Sequence, residues 1–152
     1  MTLAEALILR ADYQKRIEQL RHRLVKSARV QEGDTPPEDP HVLLAELNTA
    51  VNELASLITR INKTNSQTIL EGNVTISDAL AQRDTLLLKR SVYSSLIEAA
   101  SIEQHRYGLA EIKYLSTINI AQMQQQIDSL SRDYRELDTK IQQVNWNAEL
   151  VE

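Results

Sequence analysis

Arg60, Asn62, Asn65 and Thr68 sit in and beside one polar run, and Arg83 with Asp84 follows shortly after a Gly72-Asn73 turn. Guanidinium, amide and hydroxyl donors beside a single carboxylate suit an anion or a small polar ligand, because arginine offers a planar fork of charged donors. The same groups also suit a structural network, since a helix end leaves backbone N–H and C=O groups that need partners. The expectation is a structural network first and a ligand site second. Arg10, Arg83 and Arg90 raise a related question, because they fall at seam positions when their helices are written as heptads. Two readings stand for them. Each snorkels or pairs with a carboxylate such as Asp84, Glu53 or Asp133 and so fixes register, or Arg83 serves the ligand site.

No other constellation carries chemistry. His22, His41 and His105 lie in separate segments, and none forms a His-x-x-x-His or Glu-x-x-His pair. Di-iron sites in helical bundles need such pairs with inward carboxylates on facing helices, so no metal is expected. There is no phosphate loop, no Gly-x-Ser-x-Gly and no dinucleotide fingerprint, and the three glycines give little material for one. The absence of cysteine removes thiolate metal sites, a cysteine nucleophile and disulfides. The sequence therefore predicts no catalytic set and no cofactor.

Four helical blocks and one hairpin must position these groups. Thr2-Leu3-Ala4-Glu5 reads as a capping box that opens a helix over 3–31, with Leu3, Ala6, Leu7, Tyr13, Ile17, Leu20 and Leu24 on its apolar face and Gly33 as a stop. Asp39-Pro40 gives an N-cap followed by proline at the first helical position, and a second helix follows over 40–63. Its seam runs through Leu44, Leu47, Val51, Leu54, Ile58 and Ile61, widened by Leu43, Ala50 and Leu57. The run from Asn62 to Thr68 is expected to break that helix, because Asn, Ser and Thr compete for backbone hydrogen bonds.

Gly72-Asn73 suits a primed turn, which predicts a β-hairpin over 68–75. A second capping box, Thr75 with Asp78, opens a helix over 76–100, and Asn119 opens a fourth over 119–146. The fourth keeps one heptad register through Ile120, Met123, Ile127, Leu130, Tyr134, Leu137, Ile141 and Val144. Residues 112–118 alternate in the way a short strand would.

The predicted fold is all-α: an elongated antiparallel four-helix bundle in a single domain over 1–152, helical over about 70% of the chain, well above the usual share. Composition agrees. The 152 residues include only three Gly, three Pro and 4% aromatic residues, too few turn formers for a sandwich or barrel. The longest helices would reach roughly 42 Å, and their apolar rows are wider than a two-helix seam requires. That predicts a homo-oligomer, an antiparallel dimer or a larger even assembly.

A net charge of −4 argues against a surface built for nucleic acid, although the first helix is locally basic, with seven Lys and Arg against three Asp and Glu. No stretch is long and apolar enough to span a membrane, and the first ten residues lack signal-peptide character, so a cytoplasmic protein is expected.

Several stretches carry a family resemblance: Met1-Thr2-Leu3-Ala4-Glu5-Ala6-Leu7-Ile8-Leu9-Arg10-Ala11-Asp12, Arg60-Ile61-Asn62-Lys63-Thr64-Asn65, Asp78-Ala79-Leu80-Ala81-Gln82-Arg83-Asp84 and Tyr134-Arg135-Glu136-Leu137-Asp138. Together with the terminus at Trp146 they resemble the septicolysin-like family of small bacterial proteins. The resemblance implies a helical protein without an assigned activity, and the family label implies a pore-forming lysin. Three functions follow as alternatives. The first is a non-enzymatic helical assembly or interaction module, the second a ligand-binding protein or unfamiliar enzyme using the polar cluster, and the third a membrane-active lysin.

Overall fold

The computed structural model describes residues 1–101 and 112–152, and 75% of them lie in helices. The elements in chain order are α1 (Leu3–Lys26), α2 (Pro40–Gln67), β1 (Ile69–Glu71), β2 (Val74–Thr75), α3 (Ile76–Ser101) and α4 (Ile120–Asn147). Four helices with a two-stranded antiparallel sheet between the second and third are thus present as expected. The contacts divide the chain into two compact units, Met1–Ile69 with Gln142–Glu152, and Leu70–Ile141.

In the first unit, α1 opens on the capping box: Thr2 Oγ1 accepts from the Glu5 N–H at 3.2 Å while the Thr2 N–H donates to the Glu5 carboxylate at 2.8 Å. The helix ends at Lys26, five residues before the expected 31. Ser27 closes it by donating its N–H to the carbonyls of Arg23 and Leu24. Gly33, with φ of +88°, stands in the loop that follows, beyond the helix it was expected to stop. Arg23 forks onto Glu38 from that loop and faces Glu46 of α2 at 3.8 Å.

Helix α2 starts as the sequence implies, with Asp39 accepting from the His41 N–H and proline at the first turn. It runs back along α1, and Leu20, Leu43 and Ala50 form a buried core flanked by Tyr13, Ile17, Leu24 and Leu47. The Glu53 carboxylate faces the Tyr13 hydroxyl and holds its pKa above the ordinary value of 10.0.

The polar run from Asn62 onward does not break α2, which continues to Gln67. Thr64 and Ser66 turn their hydroxyls back onto the carbonyls of Arg60 and Lys63 at 2.8 Å each, so they satisfy themselves inside the helix instead of competing with it. Thr64 is fully buried, and that burial holds the helix past the point where propensity alone would end it.

In the second unit, Gly72 takes φ of +56° while no non-glycine residue among the described residues has positive φ, the pattern of a two-residue II′ turn. The Thr75 and Asp78 box then opens α3 without a break, each side chain accepting the other's backbone N–H. Asn119 accepts from the Gln122 N–H and so opens α4. Residues 112–118 form no strand, and Ile112, Tyr114 and Leu115 are exposed there, without a strand partner among the described residues. Residues 102–111, with His105, lie outside the described residues.

Candidate functional site

Each unit holds part of the polar cluster expected from sequence, and each part has its own partners. In the first unit, Arg60 is half-buried on α2 and donates Nε to the Val151 carbonyl at 3.0 Å. The Val151 N–H donates to Thr64 Oγ1, also at 3.0 Å. The neighbouring backbone continues the clasp: Leu3 donates to Ala148 at 2.8 Å, Leu150 to Met1 at 2.9 Å, and the Met1 ammonium meets Glu149 at 3.2 Å. Asn62 is exposed, Asn65 is half-buried, and Thr68 caps α2 through its backbone N–H. These residues tie the end of α2 to the last residues of the chain.

In the second unit, Arg83 Nη1 donates to Asp138 of α4 at 2.7 Å, with Asp84 a looser neighbour at 3.9 Å. Arg90 binds no carboxylate among the described residues. It donates to Ser131 Oγ at 3.3 Å and lies over the Tyr134 ring, 5.7 Å from its centroid. Arg83 thus pairs with a carboxylate, Asp138, outside the candidates expected from sequence. Arg10 is half-buried on α1.

Beside this pair lies a cleft of about 570 Å³. Leu70, Val74, Leu86 and Leu137 supply its apolar lining, and Glu71, Gln82, Thr85, Asp133, Glu136 and Lys140 its polar lining. Lys140 donates to Glu71 at 2.7 Å, which links α4 to the hairpin. The bond holds the Glu71 carboxyl below its ordinary pKa and lifts the Lys140 ammonium above its own. Both shifts lead away from neutral pH, whereas a general acid or base works best with a pKa near the operating pH. Among the described residues, no group of three or more His, Asp or Glu side chains is placed to hold a metal ion.

Sequence reading missed Thr64, Asp138 and the cleft. The Thr64 signal was present, as a threonine spaced three from Ile61 and seven from Leu57 on the buried side of α2. The cleft had no local signal, because the hairpin, α3 and α4 each contribute to it.

The chain belongs to the family of unknown function DUF6847, whose model matches residues 10–150. It is similar to a functionally unknown conserved protein from Corynebacterium diphtheriae, known from a crystal structure, at 42% identity and a TM-score of 0.93 over 99% of each chain. No curated protein matches it. The solved relative shares the fold, and neither it nor the family carries an assigned activity. No helix among the described residues is long and apolar enough to cross a membrane.

Proposed function

We propose that this member of DUF6847 acts as a non-enzymatic helical interaction module that self-associates through the outward face of α3. One observation carries the reading: α3 is apolar on two opposite sides. Leu86, Leu87, Tyr93 and Ile97 are half-buried, on the side where Arg83 and Arg90 meet α4. On the opposite side Leu88, Val92 and Leu96 are 66%, 57% and 40% exposed. A helix with a single partner needs one apolar stripe, so the second implies a second partner.

Light scattering at micromolar concentration tests the proposal. The parent chain is expected at the mass of a dimer or larger even assembly, and Leu88→Asp with Val92→Asp at the mass of a monomer with an unchanged circular dichroism spectrum. A monomeric parent over that range would overturn it.

The cleft favours a second reading, binding of a small ligand. Glu71, Asp133 and Glu136 outnumber Lys140 along its lining, which suits an amphipathic amine. A thermal shift with such an amine, absent in Glu136→Gln, supports that reading. Leakage of dye-loaded liposomes on adding folded protein would instead favour the lytic activity implied by the septicolysin-like resemblance.

A further inference from the structure

We propose that α3 pairs with α3 of a second copy, parallel and in register, and that Asp84 of each copy meets Lys89 of the other; this rests on the reading of the outward face as the self-association surface. Ala81, Thr85, Leu88, Val92, Ser95 and Ala99 follow the alternating four-three spacing of a coiled-coil seam, and all are exposed. The row contains no charge and extends about 27 Å along the helix. Leu88 and Val92 stand at its centre, with small residues toward the ends that let two helices approach closely.

The charges lie on the flanks and are sorted by side. Gln82, Lys89 and Leu96 border the row on one side, Asp84, Ser91 and Glu98 on the other. In a parallel pair, a flanking residue meets the residue about five positions further on along the facing helix, so Asp84 meets Lys89, twice by symmetry.

An antiparallel pair that sets Leu88 against Val92 brings Lys89 against Lys89 and Asp84 against Glu98. Like charges oppose at each of these points, and the pattern discriminates against that orientation. The proposed pair is parallel, where helix length and the wide apolar rows led to the expectation of an antiparallel dimer or a larger even assembly.

Within the second unit the row is open. The row lies opposite the side from which Arg83 and Arg90 reach α4, so a two-fold axis running along α3 leaves the two α4 helices on opposite sides. Asp84 is 73% exposed and only loosely held by Arg83, and Lys89 is exposed, its ammonium 5.6 Å from the centroid of the Tyr93 ring. Both side chains are open to a partner.

Charge reversal and cross-linking test the orientation in the whole chain. Asp84→Lys alone and Lys89→Asp alone are each expected to weaken the dimer about tenfold in light scattering, since each turns two attractive pairs into repulsive ones. Mixing the two variants restores the dimer, because each unlike pairing is then opposite in sign. In this cysteine-free chain, Ser95→Cys forms a disulfide-linked dimer on mild oxidation in the parallel register, and not in the antiparallel one, where it faces Thr85. Circular dichroism confirms that each variant folds. A parent dimer that Leu88→Asp dissociates, but whose charge variants show no rescue on mixing and whose Ser95→Cys form does not cross-link, overturns the orientation and leaves the module intact. A monomeric parent overturns both.

Discussion

Thr64 and Val151 lie 87 positions apart in sequence and share a hydrogen bond of 3.0 Å, in which the Val151 N–H donates to a hydroxyl that itself donates to the Arg60 carbonyl. Thr64 is fully buried, so its hydroxyl is withdrawn from water. The bond joins the end of α2 to the chain that follows α4.

Thr64→Val keeps the shape of the side chain and removes both bonds, leaving the Val151 N–H unpaired. A loss of about 1–3 kcal/mol is expected in urea unfolding. Thr64→Ser keeps the hydroxyl and deletes one methyl, so its cost should be smaller, about 1 kcal/mol. Equal costs for the two would mean that packing, not the hydrogen bond, holds the clasp.

Arg83 and Asp138 form the corresponding link in the second unit, at 2.7 Å and with side chains 24% and 32% exposed. Arg83→Ala should destabilise by about 1–3 kcal/mol, since it leaves a half-buried carboxylate without its donor. The double variant with Asp138→Ala should cost less than the sum of the single ones, a coupling of about 0.5–3 kcal/mol. An unchanged or raised melting temperature for Arg83→Ala, with loss of an anion-dependent shift seen in the parent, would make Arg83 part of a ligand site.

Gly72 is held at φ of +56°, and a Cβ there would meet nothing within 4 Å. Gly72→Ala therefore isolates the backbone cost, expected at about 1–2 kcal/mol. Gly72→Asn should cost less, because asparagine enters the left-handed region more readily. Thermal unfolding of the pair checks the order.

The acid limb of the stability curve has a defined direction. Backbone and side-chain hydrogen bonds from Thr2 hold the Glu5 carboxyl below its ordinary 4.5, and those from Thr75 hold Asp78 below 3.8. Arg23 and Lys140 do the same for Glu38 and Glu71. A depressed folded pKa means that the unfolded chain binds the proton first, so these groups stabilise above their ordinary pKa and lose that contribution as pH falls through the folded values. The melting temperature should hold steady above pH 5, so far as these groups govern it, and decline below about 4.5. Asp78→Asn should flatten part of the decline; an identical acid limb in that variant would remove Asp78 from the explanation.

Where the sequence was sufficient, the determining groups lie within four residues of each other. Thr2 with Glu5, Asp39 before Pro40, Thr75 with Asp78 and Asn119 with Gln122 place the helix starts, and Gly72 places the turn, because caps and turns are closed by neighbouring side chains and by backbone φ. Tertiary structure decided the rest. It chose Asp138 for Arg83 across 55 positions, and it set Arg90 against a hydroxyl and an aromatic ring. It carried α2 through Asn62 to Gln67 by burying Thr64, and ended α1 at Lys26, where the chain turns to bring Glu38 to Arg23. Heptad spacing marks a face as apolar; only packing decides whether that face is covered. On α3 the two apolar faces differ for that reason, one partly covered and the other, with Leu88 and Val92, left in water.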